Sequence, residues 1–152
     1  MTGTPLSEVF DLFMQTVTDY RLITLLETSE SDFENFLQAW LIFSINDFYV
    51  CDQSLVYDGT TKVFTDTLTA DNKVILATLM MKYWMNKNVQ DITQQNLHIT
   101  DRDFKIASES QNLREKIAAL NIVKEQCSQL LNDYAYRKND WSEWYAQSFS
   151  GV

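Results

Sequence analysis

Few residues in this chain have types and spacings that could do covalent chemistry. His98 is its one histidine, set between Leu97 and Ile99. No carboxylate or thiol stands near it in sequence as a partner. It reads as an exposed or packed side chain rather than an acid–base group, and a single histidine cannot supply a His-pair metal site. Cys51 and Cys127 are the two cysteines, and they lack C-x-x-C spacing. They read as buried free thiols of a chain made in a reducing cytoplasm, with one disulfide as the alternative. Asp101 and Asp103 are the most evident acidic pair. They fit the first turn of a helix, where carboxylates complement the dipole. No D-x-D-x-D-G calcium loop is present. With three glycines in all, the chain has no G-x-G-x-x-G or G-x-x-x-x-G-K loop to cradle a phosphate. The expectation is a protein with no catalytic residues, no metal and no cofactor, whose function lies in its surfaces.

The most informative surface is the stretch "NDWSEWYAQSFSGV", Asn139–Val152. Trp141, Trp144, Tyr145 and Phe149 stand at i, i+3, i+4 and i+8, one face of a short amphipathic helix. A helix of about ten residues is marginal alone in water and needs a groove. It either packs back on its own domain or anchors to a partner, since Trp and Tyr dominate interface hot spots. The polar break Arg137-Lys138-Asn139-Asp140 is expected to sit in solvent and to let the aromatic segment leave the domain. This divides the chain into a helical domain, 1–140, and an anchoring tail, 141–152, that contacts another protein chain.

Charge narrows the partners. The 152 residues carry 21 acids and 12 bases, a net −9. Residues 1–35 hold seven acids against one base, a net −6, which leaves −3 for the rest. There is no basic patch for a phosphate backbone to grip. An acidic wall repels DNA, which suits a conduit that DNA must pass without sticking, or a mimic of DNA. Glu27, Glu30 and Asp32 are the candidates for such a wall. The most apolar run, Val74–Met85, spans twelve residues and includes Lys82, too short for the ~20 residues of a membrane span. The N-terminus has neither the basic start nor the apolar run of a signal peptide.

The elements that must position these residues are mostly helices, because one proline and three glycines leave little material for a turn-rich β fold. Thr4-Pro5 is expected to open the first helix, with the threonine hydroxyl as cap. A second short helix is expected from about Thr18. Ser31 and Glu34 read as a capping box for a third, with Phe33, Phe36, Leu37, Trp40, Leu41, Ile45 and Phe48 as its apolar stripe. "LVYDGTTKVF" carries two β-prone runs around Asp58-Gly59, a small hairpin that must lean on the helices or on a neighbour. Thr69 is expected to cap a central helix ending near Asn86, followed by a polar connection with a short strand at Leu97–Ile99. Thr100 and Asp103 mark the start of a last long helix to about Arg137, with a break near Ser108–Ser110. Its seam is Leu113, Ile117, Leu120, Val123, Cys127, Leu130 and Tyr134. The fold class is mainly α: a helical bundle with a long C-terminal helix, a hairpin-like excursion and an aromatic tail.

Four stretches in order carry a resemblance: "TPLSEVFDLFMQTVTDY", "LTADNKVILATLMMKYW", "LHITDRDFKIAS" and "LLNDYAYRKND". Over most of the chain they resemble the neck, or head–tail connector, proteins of tailed bacteriophages. The resemblance implies a helical adaptor of the virion neck, assembled in the host cytoplasm. It forms a ring of copies, commonly twelve, that docks on the portal protein and offers a platform to the stopper or tail. DNA passes through without specific binding, and no membrane, cofactor or catalysis is involved. Two other classes stay open: an acidic DNA-mimic inhibitor, and a helical interaction module of some other assembly.

Overall fold

The computed structural model describes residues 3–98 and 103–139, with side chains for 3–94 and 111–139. The anchoring tail 141–152 and the capping Thr100 lie outside the described residues. The described chain is mainly α. Five helices, α1 (Leu6–Thr16), α2 (Tyr20–Thr28), α3 (Glu30–Asp47), α4 (Ala70–His98) and α5 (Asp103–Lys138), enclose one hairpin of β1 (Tyr57–Asp58) and β2 (Val63–Phe64).

The central helix is α4, which touches α1, α3 and α5. Ile75, Leu76, Ala77, Leu79 and Met80 are buried along it, while Val74 is exposed. Thr69 caps it as expected, its Oγ1 accepting from Asn72 N–H at 3.3 Å. Leu6, Val9, Phe10 and Phe13 of α1 and Phe33, Leu37, Trp40 and Leu41 of α3 close the same core. Phe36, expected in that stripe, is instead 45% exposed and lies edge-on against Trp40, with ring centroids 4.8 Å apart.

Two expected helix starts are corrected. Thr4 does not cap α1, which begins after Pro5 with no side-chain cap. Thr4 is buried, and its Oγ1 accepts from Leu68 N–H at 2.8 Å. The segment before α1 is extended and joins the hairpin: Phe64 N–H donates to Thr4 O at 2.8 Å, and Leu6 N–H to Lys62 O at 2.9 Å. Gly3 is required by this close approach, since a Cβ there would lie 1.7 Å from Phe64 O. The cap of α3 is Ser29, not Ser31, and its hydroxyl accepts from Asp32 N–H at 3.3 Å. Ser29 has the extended backbone an N-cap needs and also closes α2 by donating its N–H to Leu25 O. Glu34 is engaged elsewhere, in an ion pair with Lys62 at 2.7 Å.

The two long helices differ most from expectation. α4 runs 29 residues to His98 rather than ending near Asn86, so Leu97 and His98 are helical, not strand. No Gly or Pro interrupts 86–98. A Lys87–Asp91 pair at 2.5 Å and a Thr93 Oγ1 bond back to Val89 O sustain the helix. The polar composition marked an outward face, not a helix end. α5 is continuous for 36 residues, with no break at Ser108–Ser110. It packs by a narrow seam: Leu120, Val123, Cys127 and Tyr134 are buried, and Leu131 packs against the core beside them. Ile117 is 39% exposed.

The hairpin pairs Tyr57 with Phe64 and Asp58 with Val63 around the expected Asp58-Gly59 turn. It leans on the helices through Phe64, which is 1% exposed. Lys62 adopts a left-handed backbone (φ 54°), held by its N–H to Asp58 O at 2.8 Å and by the ion pair to Glu34.

Candidate functional site

The polar side chains gather at three places on this frame. The first is a clasp at the end of α5. Tyr134, buried on the α5 seam, donates its hydroxyl to Asp52 Oδ1 and accepts from Asp52 N–H at 3.2 Å. Lys138 Nζ lies 2.6 Å from Asp52 Oδ2, and Asn72 and Gln53 continue the network to the start of α4. Arg137 pairs with Asp71 at 3.3 Å. The expected polar break is therefore exposed but stitched to the body. Lys138 and Tyr134 hold the Asp52 carboxyl down at about 2, overcoming the opposing effect of burial. Burial, reinforced by the neighbouring Asp52 carboxylate, pushes the Tyr134 phenol up to about 12.

The second place is a cavity of about 540 Å³ between the end of α3, α4 and α5. Asp47 Oδ2 accepts from both Lys82 Nζ and the Tyr83 hydroxyl, the latter at 2.7 Å. Burial and Asp47 push Tyr83 up to about 12, and burial raises the Cys127 thiol on the same wall. Both shifts keep the groups protonated, the reverse of what an activated nucleophile requires. Cys51, partly buried near Tyr134, is raised by burial too, and both cysteines are free thiols.

The third is a pocket of about 490 Å³ between the start of α2, α4 and α5. Asp19 caps α2 by accepting from Arg21 N–H at 2.9 Å, and its other oxygen accepts from Trp84 Nε1 at 3.1 Å. Burial opposes its ionisation, but these bonds and the Arg21 guanidinium lower its pKa. Arg21 also donates to Asn88 Oδ1 at 3.0 Å. Tyr20, Met85 and Val89 supply an apolar lining.

Glu27, Glu30 and Asp32 share one exposed corner where α2 meets α3. Glu30 and Asp32 lie in the first turn of α3. None of the three forms an ion pair among the described residues. The anchors Trp141, Trp144, Tyr145 and Phe149 and the pair Asp101 and Asp103 fall outside the described side chains, as does that of His98. Among the described residues no group of His, Cys, Asp and Glu is arranged to hold a metal ion, and no helix is long and apolar enough to cross a membrane. Sequence reasoning missed the Asp52 clasp because its partners stand 82 residues apart. Its one visible trace was the cationic end of α5.

The clasp has a measurable pH signature. Tyr83 and Tyr134 are expected to ionise last in a spectrophotometric titration, near pH 12. A phenol whose pKa is raised by folding adds stability that is whole below its unfolded value of about 10 and is lost as pH climbs through 12. The Asp52 carboxyl, lowered by folding, works oppositely: its contribution is present above about 4 and is lost as pH falls toward 2. Tyr134→Phe should flatten the alkaline limb of melting temperature against pH; an unchanged limb would contradict the assignment.

Compared with family models, curated proteins and solved structures, the chain matches none.

Proposed function

We propose that the protein is the structural adaptor of a bacteriophage neck, a ring-forming subunit that joins the portal to the stopper or tail and extends the DNA channel. The observation that carries this reading is the end of α5. Tyr134, Arg137 and Lys138 are tied to Asp52 and Asp71, and the Asn139 N–H is bonded to Ala135 O. These ties hold the end of α5 to the body, and Trp141, Trp144, Tyr145 and Phe149 follow them in the sequence, where they would serve an assembly. The resemblance to neck proteins supports the same reading, as does the acidic corner of Glu27, Glu30 and Asp32, none of them ion-paired among the described residues.

Electron microscopy of particles carrying the protein tests the reading directly. The expected result is a closed ring of copies beneath the portal vertex; particles that mature and eject DNA without such a ring would overturn it. The acidic corner gives a second test. Changing Glu27, Glu30 and Asp32 to Lys should leave folding intact, because all three are exposed. If they line the passage, an adhesive wall replaces a repelling one within a Debye length of the DNA, and ejection slows. Normal ejection through a normal ring would place this corner on the outside.

A further inference from the structure

The pocket at the start of α2 lies far along α5 from that helix's described end. The pocket is bounded on α5 by Lys116, and the last ion-paired residue is Lys138. At 1.5 Å per helical residue these lie about 33 Å apart. α5 runs antiparallel to α4, since Cys127 meets Thr78 while Tyr134 and Arg137 meet Asp52 and Asp71. Continued as a helix from Lys138, the chain carries Phe149 only about 17 Å. Fully stretched it would span the gap, but alternation along an extended strand would put Trp144 on the face opposite Trp141, Tyr145 and Phe149. A segment whose aromatics share one helical face therefore cannot fill this pocket on its own copy. It can fill the pocket of another.

We propose that residues 141–152 of one copy dock as a short helix into the pocket between α2, α4 and α5 of a second copy. The pocket volume, about 490 Å³, lies within the roughly 300–1,000 Å³ of sites that engulf a ligand. Tyr20, Trp84, Met85 and Val89 offer aromatic and aliphatic walls, and Tyr20 is 80% exposed. Charge agrees. Arg21 and Lys116 outnumber Asp19 at the pocket of a chain whose net charge is −9, while residues 141–152 bring Glu143 and no cation. The cavity beside Tyr83 is nearer the described end of α5, but Asn46, Asp47, Lys82, Asn86, Lys124 and Ser128 give its wall more polar surface than the pocket at the start of α2 carries. Tail-into-pocket contact is head-to-tail, and such contacts close into rings or run on as filaments. The proposal deepens the adaptor reading and rests on it for its biological setting. Its test needs no portal, so its failure leaves the ring to be judged on particles.

The test is sedimentation velocity of the full chain over a concentration series. Wild type should move from the 17.8 kDa monomer to progressively larger species as concentration rises. Val89→Glu spoils the pocket and keeps the segment; Trp144→Ala does the reverse. Each alone should associate about thirtyfold more weakly or worse, the loss typical of one buried aromatic anchor. Mixed one to one, they should recover association that stops at the dimer, because one intact segment meets one intact pocket. Lys116→Glu, at an exposed position, serves as a second pocket variant should Val89→Glu fail to fold by circular dichroism. Three results would overturn the proposal: wild type monomeric throughout, pocket variants that associate like wild type, or a mixture that does not recover. A monomeric wild type whose melting temperature falls with Trp144→Ala would place the segment on its own copy.

Discussion

Phe13→Ala should lower the stability of the isolated protein by about 3–5 kcal/mol, the cost of emptying a large aromatic site in a packed core. Phe13 is 0% exposed and sits on α1 facing Trp40 of α3, with ring centroids 5.9 Å apart. It belongs to the cluster in which α1, α3 and α4 meet, where no solvent can enter to relax the gap. At about 2–4 °C per kcal/mol for a chain of this size, the melting temperature should fall by roughly 6–20 °C. Phe36→Ala is the matched control. It removes the same side chain from a position that is 45% exposed and touches the same Trp40. Its cost should stay under about 1.5 kcal/mol, the range of an aromatic pair without deep burial. Equal losses from the two variants would mean that the α1–α3 packing is wrong.

Truncation after Asp140 should do the opposite: leave the melting temperature within a few degrees of wild type and abolish incorporation into heads. The ties of Tyr134, Arg137, Lys138 and Asn139 at the end of α5 are retained in the truncated chain. What is lost is the aromatic face of 141–149. Anchors of this kind are typically worth about 2 kcal/mol or more each at an interface. In the proposed adaptor, a ring would multiply that loss over every copy. Thermal melting and quantification of the protein in purified heads read the two effects separately. If truncation unfolds the isolated domain, the tail belongs to its own core, and the anchoring role is wrong.

How much of this was legible in sequence depended on the range of the interaction. The stripe Phe33, Leu37, Trp40 and Leu41, the Thr69 cap and the Asp58-Gly59 turn are local patterns, and the structure keeps them. Ser29 and Ser31 offer the same capping chemistry two residues apart, and only the closure of α2 selects Ser29. Thr4-Pro5 has the composition of a helix start, but the Leu68 N–H claims the Thr4 hydroxyl from 64 residues away. Polarity after Asn86 reads as a helix stop, but with no Gly or Pro to break it the helix continues to His98. The acidic corner was visible as composition. The pocket of Tyr20, Trp84, Val89 and Lys116 was not, because it combines three helices that no sequence window contains.

The extended stretch before α1 sets an order on folding. Gly3, Thr4 and Leu6 find their partners at Lys62, Phe64, Asp66 and Leu68, so the beginning of the chain waits for the residues that precede α4. The core of α1 and α3 waits longer, because the surface that joins them is Ile75–Met80 of α4. On the ribosome, where the chain emerges from its N-terminus at about 5–20 residues per second, α1–α3 must stand for seconds without the helix that covers them. Their apolar faces are then the exposed species, and a crowded nascent chain is most at risk of joining its neighbours there. The contact between Asp52 and Tyr134 joins residues 82 positions apart, so Asp52 waits for most of α5 before its carboxyl is held.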